Sequence, residues 1–163
     1  MSFQFNASRI LHEDHMASLA LLGEIERKVL TLKEPPPRDD ANVGRAIRTL
    51  RDALAGEVAA HFDFEEETLF PYLVEFGEGD LSELLSEEHR VLREVFAEVD
   101  LRIAAGFADG FDPAGWTTFR RLCGELIERL QSHIEKEERA LLPALENTLT
   151  SEADAEYCAR HDI

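Results

Sequence analysis

Residues 61–73 and 133–145 are two versions of one segment. Aligned without a gap, His61, Glu65, Glu66, Leu69, Pro71 and Leu73 fall on His133, Glu137, Glu138, Leu141, Pro143 and Leu145, with Phe70 opposite Leu142. A fainter match precedes each copy: Leu11, Glu13, Asp14 and His15 lie over Leu85, Glu87, Glu88 and His89. The halves also keep their spacing, since 46 residues separate His15 from His61 and 44 separate His89 from His133. Such a chain is expected to fold as two similar helical hairpins packed about a pseudo-twofold axis.

The apolar residues recur at three- and four-residue steps, the periodicity of one helical face. Leu11, Leu19, Leu22, Ile25 and Val29 form a first stripe, capped by Ser8 or Asn6 and ended by Pro35, Pro36 and Pro37. Val43, Ile47, Leu50, Leu54, Val58 and His61 form a second, capped by Asp39 or Asp40, broken or kinked at Pro71 and stopped at Gly77. Asp80 and Glu83 have the spacing of a capping box before a third stripe, Leu81 to Ile103, whose end Gly106 and Gly110 flank. Asp112 and Pro113 open a fourth, running from Trp116 to Leu145. A polar tail follows from Asn147, with room for a short helix near residues 152–158. No stretch alternates with period two. The expectation is an all-α, up-down-up-down four-helix bundle with a short C-terminal tail. Residues 1–163 then form one domain, with the bundle core at about 8–147 and the tail at 148–163.

The repeat selects histidines. His15, His61, His89 and His133 occupy equivalent positions, one per helix, each within an apolar stripe. Residues four apart share a helical face, so His61 and Glu65 point the same way, as do His133 and Glu137. The interior of the bundle then receives four imidazoles and two carboxylates. Without partners these groups are costly to bury, and a pair of cations would satisfy them. Mixed imidazole and carboxylate ligation points to iron, with manganese or zinc as the lesser alternatives. Each ion would take two imidazoles and share Glu65 and Glu137, and an oxo, hydroxo or water bridge would leave positions open for a small ligand. The bland alternative is a bundle that uses buried His–Glu pairs for specificity. Ferritin-like carboxylate sites use Glu-x-x-His, the reverse order, and are set aside.

Composition removes other functions. With 17 Lys+Arg against 34 Asp+Glu the formal net charge is −17, which argues against nucleic acid and against an anionic membrane surface. Hydrophobic residues make up 44% of the chain, enough for a sizeable core, yet no apolar run approaches the roughly 20 residues that span a bilayer. The N-terminal residues lack a basic and then apolar leader pattern. Cys123 and Cys158 make no disulfide framework. An acidic cytoplasmic protein is expected.

These residues resemble the hemerythrin-like, or HHE cation-binding, family. The resemblance covers residues 8–147 and rests on one histidine on each of helices one and three and His-x-x-x-Glu on helices two and four. It implies a four-helix bundle around a non-haem di-iron centre. His15, His61, His89 and His133 would be terminal ligands, and Glu65 and Glu137 would bridge two iron ions. Two features depart from the oxygen carriers. Their third helix carries a His-x-x-x-His pair, whereas Leu85 and Arg93 stand one turn either side of His89. Their second carboxylate follows its histidine by five residues, whereas Glu137 follows His133 by four. The site is similar to the four-histidine, two-glutamate type of bacterial proteins linked to nitric oxide or iron–sulfur repair, though the cysteine-bearing N-terminal domain of the repair proteins is not in this sequence. The implied function is to bind or sense dioxygen, nitric oxide or iron and redox state. The alternative is an enzyme of nitric oxide or peroxide detoxification or of iron–sulfur cluster repair.

The other polar residues have quieter expectations. Glu13, Asp14, Glu87 and Glu88 are expected to form a solvated face rather than a cation entry path, while Glu66 and Glu138 could orient a ligand, supply an alternative one or face water, the last being favoured. His12, three residues from His15, could be an extra ligand, but it aligns with Ser86, so it is expected to be solvated or to support a ligand. Phe62, Phe64 and Trp116 should pack, Cys123 should be a small buried hydrophobe, and Cys158 an exposed thiol.

Overall fold

Pro71, Gly77, Gly110 and Pro113 each reshape, end or begin a helix in the computed structural model, which describes residues 2–162. All regular elements among the described residues are helical, and they form five rods. Rod α1 (residues 6–30) is an α-helix, Asn6–Ile25, that runs into a π-turn, Glu26–Leu30. Rod α2 (41–75) is interrupted at Gly56 and passes through a π-turn at Glu65–Leu69. Rod α3 is Gly79–Asp109, rod α4 (113–148) contains a π-turn at Glu137–Leu141, and rod α5 is Ser151–Arg160. Rods α1 and α3 each lie against α2 and α4, and α5 lies against α1. No helix among the described residues is long and apolar enough to cross a membrane.

Several caps follow the sequence. Asp40 accepts from the amides of Asn42 and Val43, and Asp112 from that of Gly115 ahead of a helix with Pro113 in its first turn. Gly77 ends α2 with φ +88°, and Gly110 follows α3 with φ +81°, both in the region that only glycine enters freely. Two expected caps do not form. Rod α3 starts at Gly79, so Asp80 lies inside its first turn, where an acid still favours the helix dipole without capping an amide. Rod α1 starts at Asn6, and Ser8 is fully buried with its hydroxyl unpartnered.

The amides at the start of α1 are satisfied from the other end of the chain. Asp154, buried in α5, accepts from the amides of Asn6 at 3.0 Å and Ala7 at 2.8 Å, while Glu146 accepts from those of Gln4 and Phe5. The expected tail is therefore largely a helix. Thr150 caps it, Glu152 and Asp154 lie in its first turn and Arg160 in its last, and Cys158 is buried beneath it rather than exposed.

The prolines do not end their rods. Pro71 and Pro143 lack an amide, and each ring displaces the carbonyl four residues back. The helix widens by one residue instead: the Phe70 amide donates to Glu65 O and the Leu142 amide to Glu137 O, five residues back. Both rods then continue, to Glu75 and Thr148.

The core divides into two apolar clusters. One contains Leu22, Leu50, Phe62, Leu92, Trp116 and Ile134, and the other Leu11, Leu69, Leu73, Leu85, Leu141 and Leu145. On every one of the first four rods the chain passes between clusters at a repeat-selected histidine, and on α2 and α4 a glutamate follows it. A buried polar layer therefore separates them.

Candidate metal centre

The layer is made by the i, i+4 pairs of α2 and α4 and the single histidines of α1 and α3. His15, His61, Glu65, His89, His133 and Glu137 are all buried. Ligand atoms of His15, His61, Glu65 and Glu137 lie within 4.8 Å of one another, and so do those of Glu65, His89, His133 and Glu137. The structure thus brings all six expected residues together, in two groups that share Glu65 and Glu137.

Every imidazole turns Nε2 inward. His15 Nε2 is 2.8 Å from Glu137 Oε2, and His133 Nε2 is 2.7 Å from Glu137 Oε1. His61 Nε2 and His89 Nε2 are 3.3 and 3.2 Å from the Glu65 oxygens, without the direction of a hydrogen bond to either. His89 Nε2 and His133 Nε2 are themselves only 2.9 Å apart.

Every Nδ1 turns outward to a carboxylate on a neighbouring rod. His15 reaches Glu138 at 2.6 Å, His61 reaches Asp14 at 3.0 Å, His89 reaches Glu66 at 2.8 Å and His133 reaches Glu88 at 2.8 Å. These four acids obey the repeat, Glu66 matching Glu138 and Asp14 matching Glu88. Their bonds close a ring in one sense around the bundle, from α1 to α4 to α3 to α2 and back to α1. A carboxylate that accepts Nδ1–H leaves the lone pair on Nε2, which is the tautomer a metal requires, and raises the basicity of the ring.

That arrangement tests whether a cation fits. With Nδ1 protonated, the inward atoms are lone pairs: four imidazole nitrogens and the carboxylate oxygens of Glu65 and Glu137. Both oxygens of Glu65 and Oε1 of Glu137 are buried without a hydrogen-bond partner. Neutral imidazoles at 2.9 Å would set two lone pairs against each other. Only protons or cations resolve this, and the donor set, nitrogen and oxygen in two overlapping groups, fits a metal site.

Protons fill the role when no cation does. Burial opposes the charged form of His89, but the adjacent Glu137 and Glu65 carboxylates outweigh it and raise the pKa from 6.5 to about 9. Burial likewise opposes charge on His61, and the Glu65 carboxylate overcomes it, so that this ring too is raised well above 6.5. His15 is raised as well, against burial, chiefly by Glu137. Glu137 is held well below the ordinary carboxylate range because the surrounding imidazoles, His133 and His15 foremost, outweigh its burial.

The sequence reading missed Asp14 and Glu88, which it assigned to a solvated face, and for Glu66 and Glu138 it favoured water over the ligand-orienting role that they take here. It favoured a supporting role for His12 as one option, and His12 Nδ1 indeed bonds Glu138 Oε2 at 2.9 Å. Phe62, read as packing, also walls the site: its ring stacks on His89 with centroids 3.8 Å apart and meets His133 edge-on at 5.6 Å. The positions flanking His89 supply no extra ligand. Leu85 is buried in an apolar cluster, and Arg93 bonds Asp63 and Glu66 outside the layer.

The two groups differ in their surroundings. The acids behind His89 and His133 are each backed by a cation, Glu66 by Arg93 and Glu88 by Lys136. Among the described residues Asp14 has no cationic partner but His61, and Glu138 is shared by His12 and His15. A cavity of about 410 Å³ opens between α1 and α2 and reaches His15, His61, His133 and Glu137.

No curated protein and no solved structure matches the chain significantly. The model of the hemerythrin HHE cation binding domain matches residues 6–145, a span that holds the whole polar layer and its ring of acids, and the chain belongs to that family.

Proposed function

We propose that this chain is a non-haem di-iron protein that binds or senses dioxygen, nitric oxide or iron and redox state. In this reading α1 to α4 are an up-down-up-down four-helix bundle, and α5 braces the start of α1. His15 and His61 hold one iron, His89 and His133 hold the other, and Glu65 and Glu137 bridge them. The observation that carries the reading is the buried, unpartnered carboxylate pair facing four Nε2 atoms whose Nδ1 partners are all carboxylates. Iron suits both donor types, and when bound it would supply Lewis acidity and a change of oxidation state at open coordination positions.

The chain's own residues do the rest. The outer acids hold each imidazole in one tautomer and one orientation. Phe62 and the two leucine-rich clusters keep bulk water from the layer. The cavity beside His15 and His61 offers a small molecule a path inward. That path also favours the second reading, an enzyme that turns over nitric oxide or peroxide, or donates iron for cluster repair.

Elemental analysis with absorption spectra of oxidised and reduced protein tests the reading. Two irons per chain are expected; less than about one equivalent of any metal would refute the centre. A spectral change that reverses when dioxygen or nitric oxide is removed supports binding or sensing. Catalytic loss of nitric oxide or peroxide that Glu65→Ala and Glu137→Ala abolish supports the enzyme.

A further inference from the structure

The repeat predicts that whatever opens beside one half of the centre should open beside the other. It does not. The cavity between α1 and α2 holds about 410 Å³ and has cluster residues as its floor. The equivalent seam between α3 and α4 is lined by Glu88, Val91, Leu92, Arg129 and Lys136 and reaches none of the six inner residues. The difference lies in side-chain size. Ala17, Ser18 and Ala53 line the cavity, where the repeat places Val91, Leu92 and Glu125 in the second half. Leu92 is buried and fills the space that Ser18 leaves. Lys136 also bonds Glu88 across the closed seam, whereas the open seam has no Lys or Arg in its lining.

The volume exceeds what a diatomic gas needs. One water occupies about 30 Å³ of liquid, and a dry apolar cavity of about 150 Å³ already takes benzene. Most of the wall is apolar, from Leu21, Val58, Phe62, Leu130 and Ile134. Asp14 and the exposed Glu57 stand at the rim, so an anion entering the cavity meets two carboxylates first.

We propose that this one-sided cavity is a binding site for a neutral, mainly aliphatic small molecule of several carbons, its polar end directed to the floor formed by His15, His61 and Glu137. The proposal rests on the metal-centre reading for what lies at that floor, and on the asymmetry of the repeat for the cavity itself. The small residues, not the cluster, make the opening.

Straight-chain primary alcohols from ethanol to hexanol test it, titrated calorimetrically into the protein as isolated, with iron measured on the same sample. Saturable one-site binding should tighten about fourfold per added methylene. Ser18→Leu, which copies the residue of the closed half, should weaken hexanol at least tenfold while leaving iron content and helicity unchanged. Ala53→Leu should do the same from the facing rod. Absence of binding, no dependence on chain length, or hexanol affinity unchanged in both variants overturns the proposal. Normal iron with no hexanol binding refutes the cavity alone, and hexanol binding without iron refutes the metal centre alone.

Discussion

The outer acids should govern metal affinity in proportion to their burial. Glu138 and Asp14 serve the two histidines of one group. His15 Nδ1 is 2.6 Å from Glu138, which is 19% exposed, and His61 Nδ1 is 3.0 Å from Asp14, which is 50% exposed. Removing such a partner typically costs ten- to hundredfold in metal affinity, or about 1.4 to 2.7 kcal/mol. Screening by water weakens the exposed bond, because half-exposed charged pairs contribute little. Glu138→Ala is therefore expected near the hundredfold end of that range, and Asp14→Ala at or below the tenfold end. Glu138→Gln should fall between, since its amide oxygen still accepts from Nδ1 but carries no charge. The assay is competition with a chelator of known affinity, under argon with ferrous iron and again with zinc, which has no redox chemistry to complicate the titration. Equal losses for the two alanine variants would refute the argument from burial. Losses below about threefold in both would refute the role of the acids themselves.

Other outcomes follow from the same geometry. Asp154→Ala should cost about 2 to 4 kcal/mol in denaturant unfolding, because it strands the amides of Asn6 and Ala7 at the start of α1; a change below about 0.5 kcal/mol would refute that cap. Gly106→Ala should cost about 1 to 3 kcal/mol, since an added Cβ would stand 2.1 Å from the Phe111 ring, and an unchanged melting temperature would show that the ring moves freely. In the metal-free protein the raised imidazoles stabilise the fold fully below pH 6.5, and this contribution disappears as pH rises through about 9, the value for His89. Metal binding has the opposite sense: it tightens over that window and releases protons near neutral pH, which weakly buffered titration with a pH indicator measures. Uptake without proton release would show the imidazoles to be neutral beforehand.

The inner residues were legible because their relation is local. Four residues along a helix is one face, and the repeat shows which four histidines share a role. The outer acids were encoded just as regularly, yet Asp14 and Glu88 read as surface and Glu66 and Glu138 read as surface first and ligand supports second. Asp14 and Glu88 each precede an inner histidine, and Glu66 and Glu138 each follow an inner glutamate. One residue turns a helix by about 100°, so these acids leave the inner stripe and face the adjacent rod. Recognising them requires knowing which rod is adjacent, a tertiary fact. The Asp154 cap is invisible for the same reason, as it lies 147 residues from Ala7. The prolines were read only in part. Pro71 was expected to break or kink its rod and Pro143 was passed over; both rods continue, and each absorbs the missing amide as a π-turn.

The position of those π-turns joins the fold to the centre. Each begins at an inner glutamate, Glu65 or Glu137, and its widened hydrogen bond ends on the carbonyl of that residue. The backbone that aims Glu65 and Glu137 is therefore set by a proline six residues later, outside the polar layer. The ring of Nδ1 bonds then ties each histidine to a different rod. On the di-iron reading, a change of charge at the centre bears on the orientation of all four imidazoles at once, and through them on every rod. The second group, braced by Arg93 and Lys136, has the stiffer surroundings. The first, beside the cavity and lacking such cations, has more freedom to respond. On that reading, an asymmetric response from a symmetric ligand set would let the braced half keep its ion in place while the half beside the cavity meets the incoming molecule.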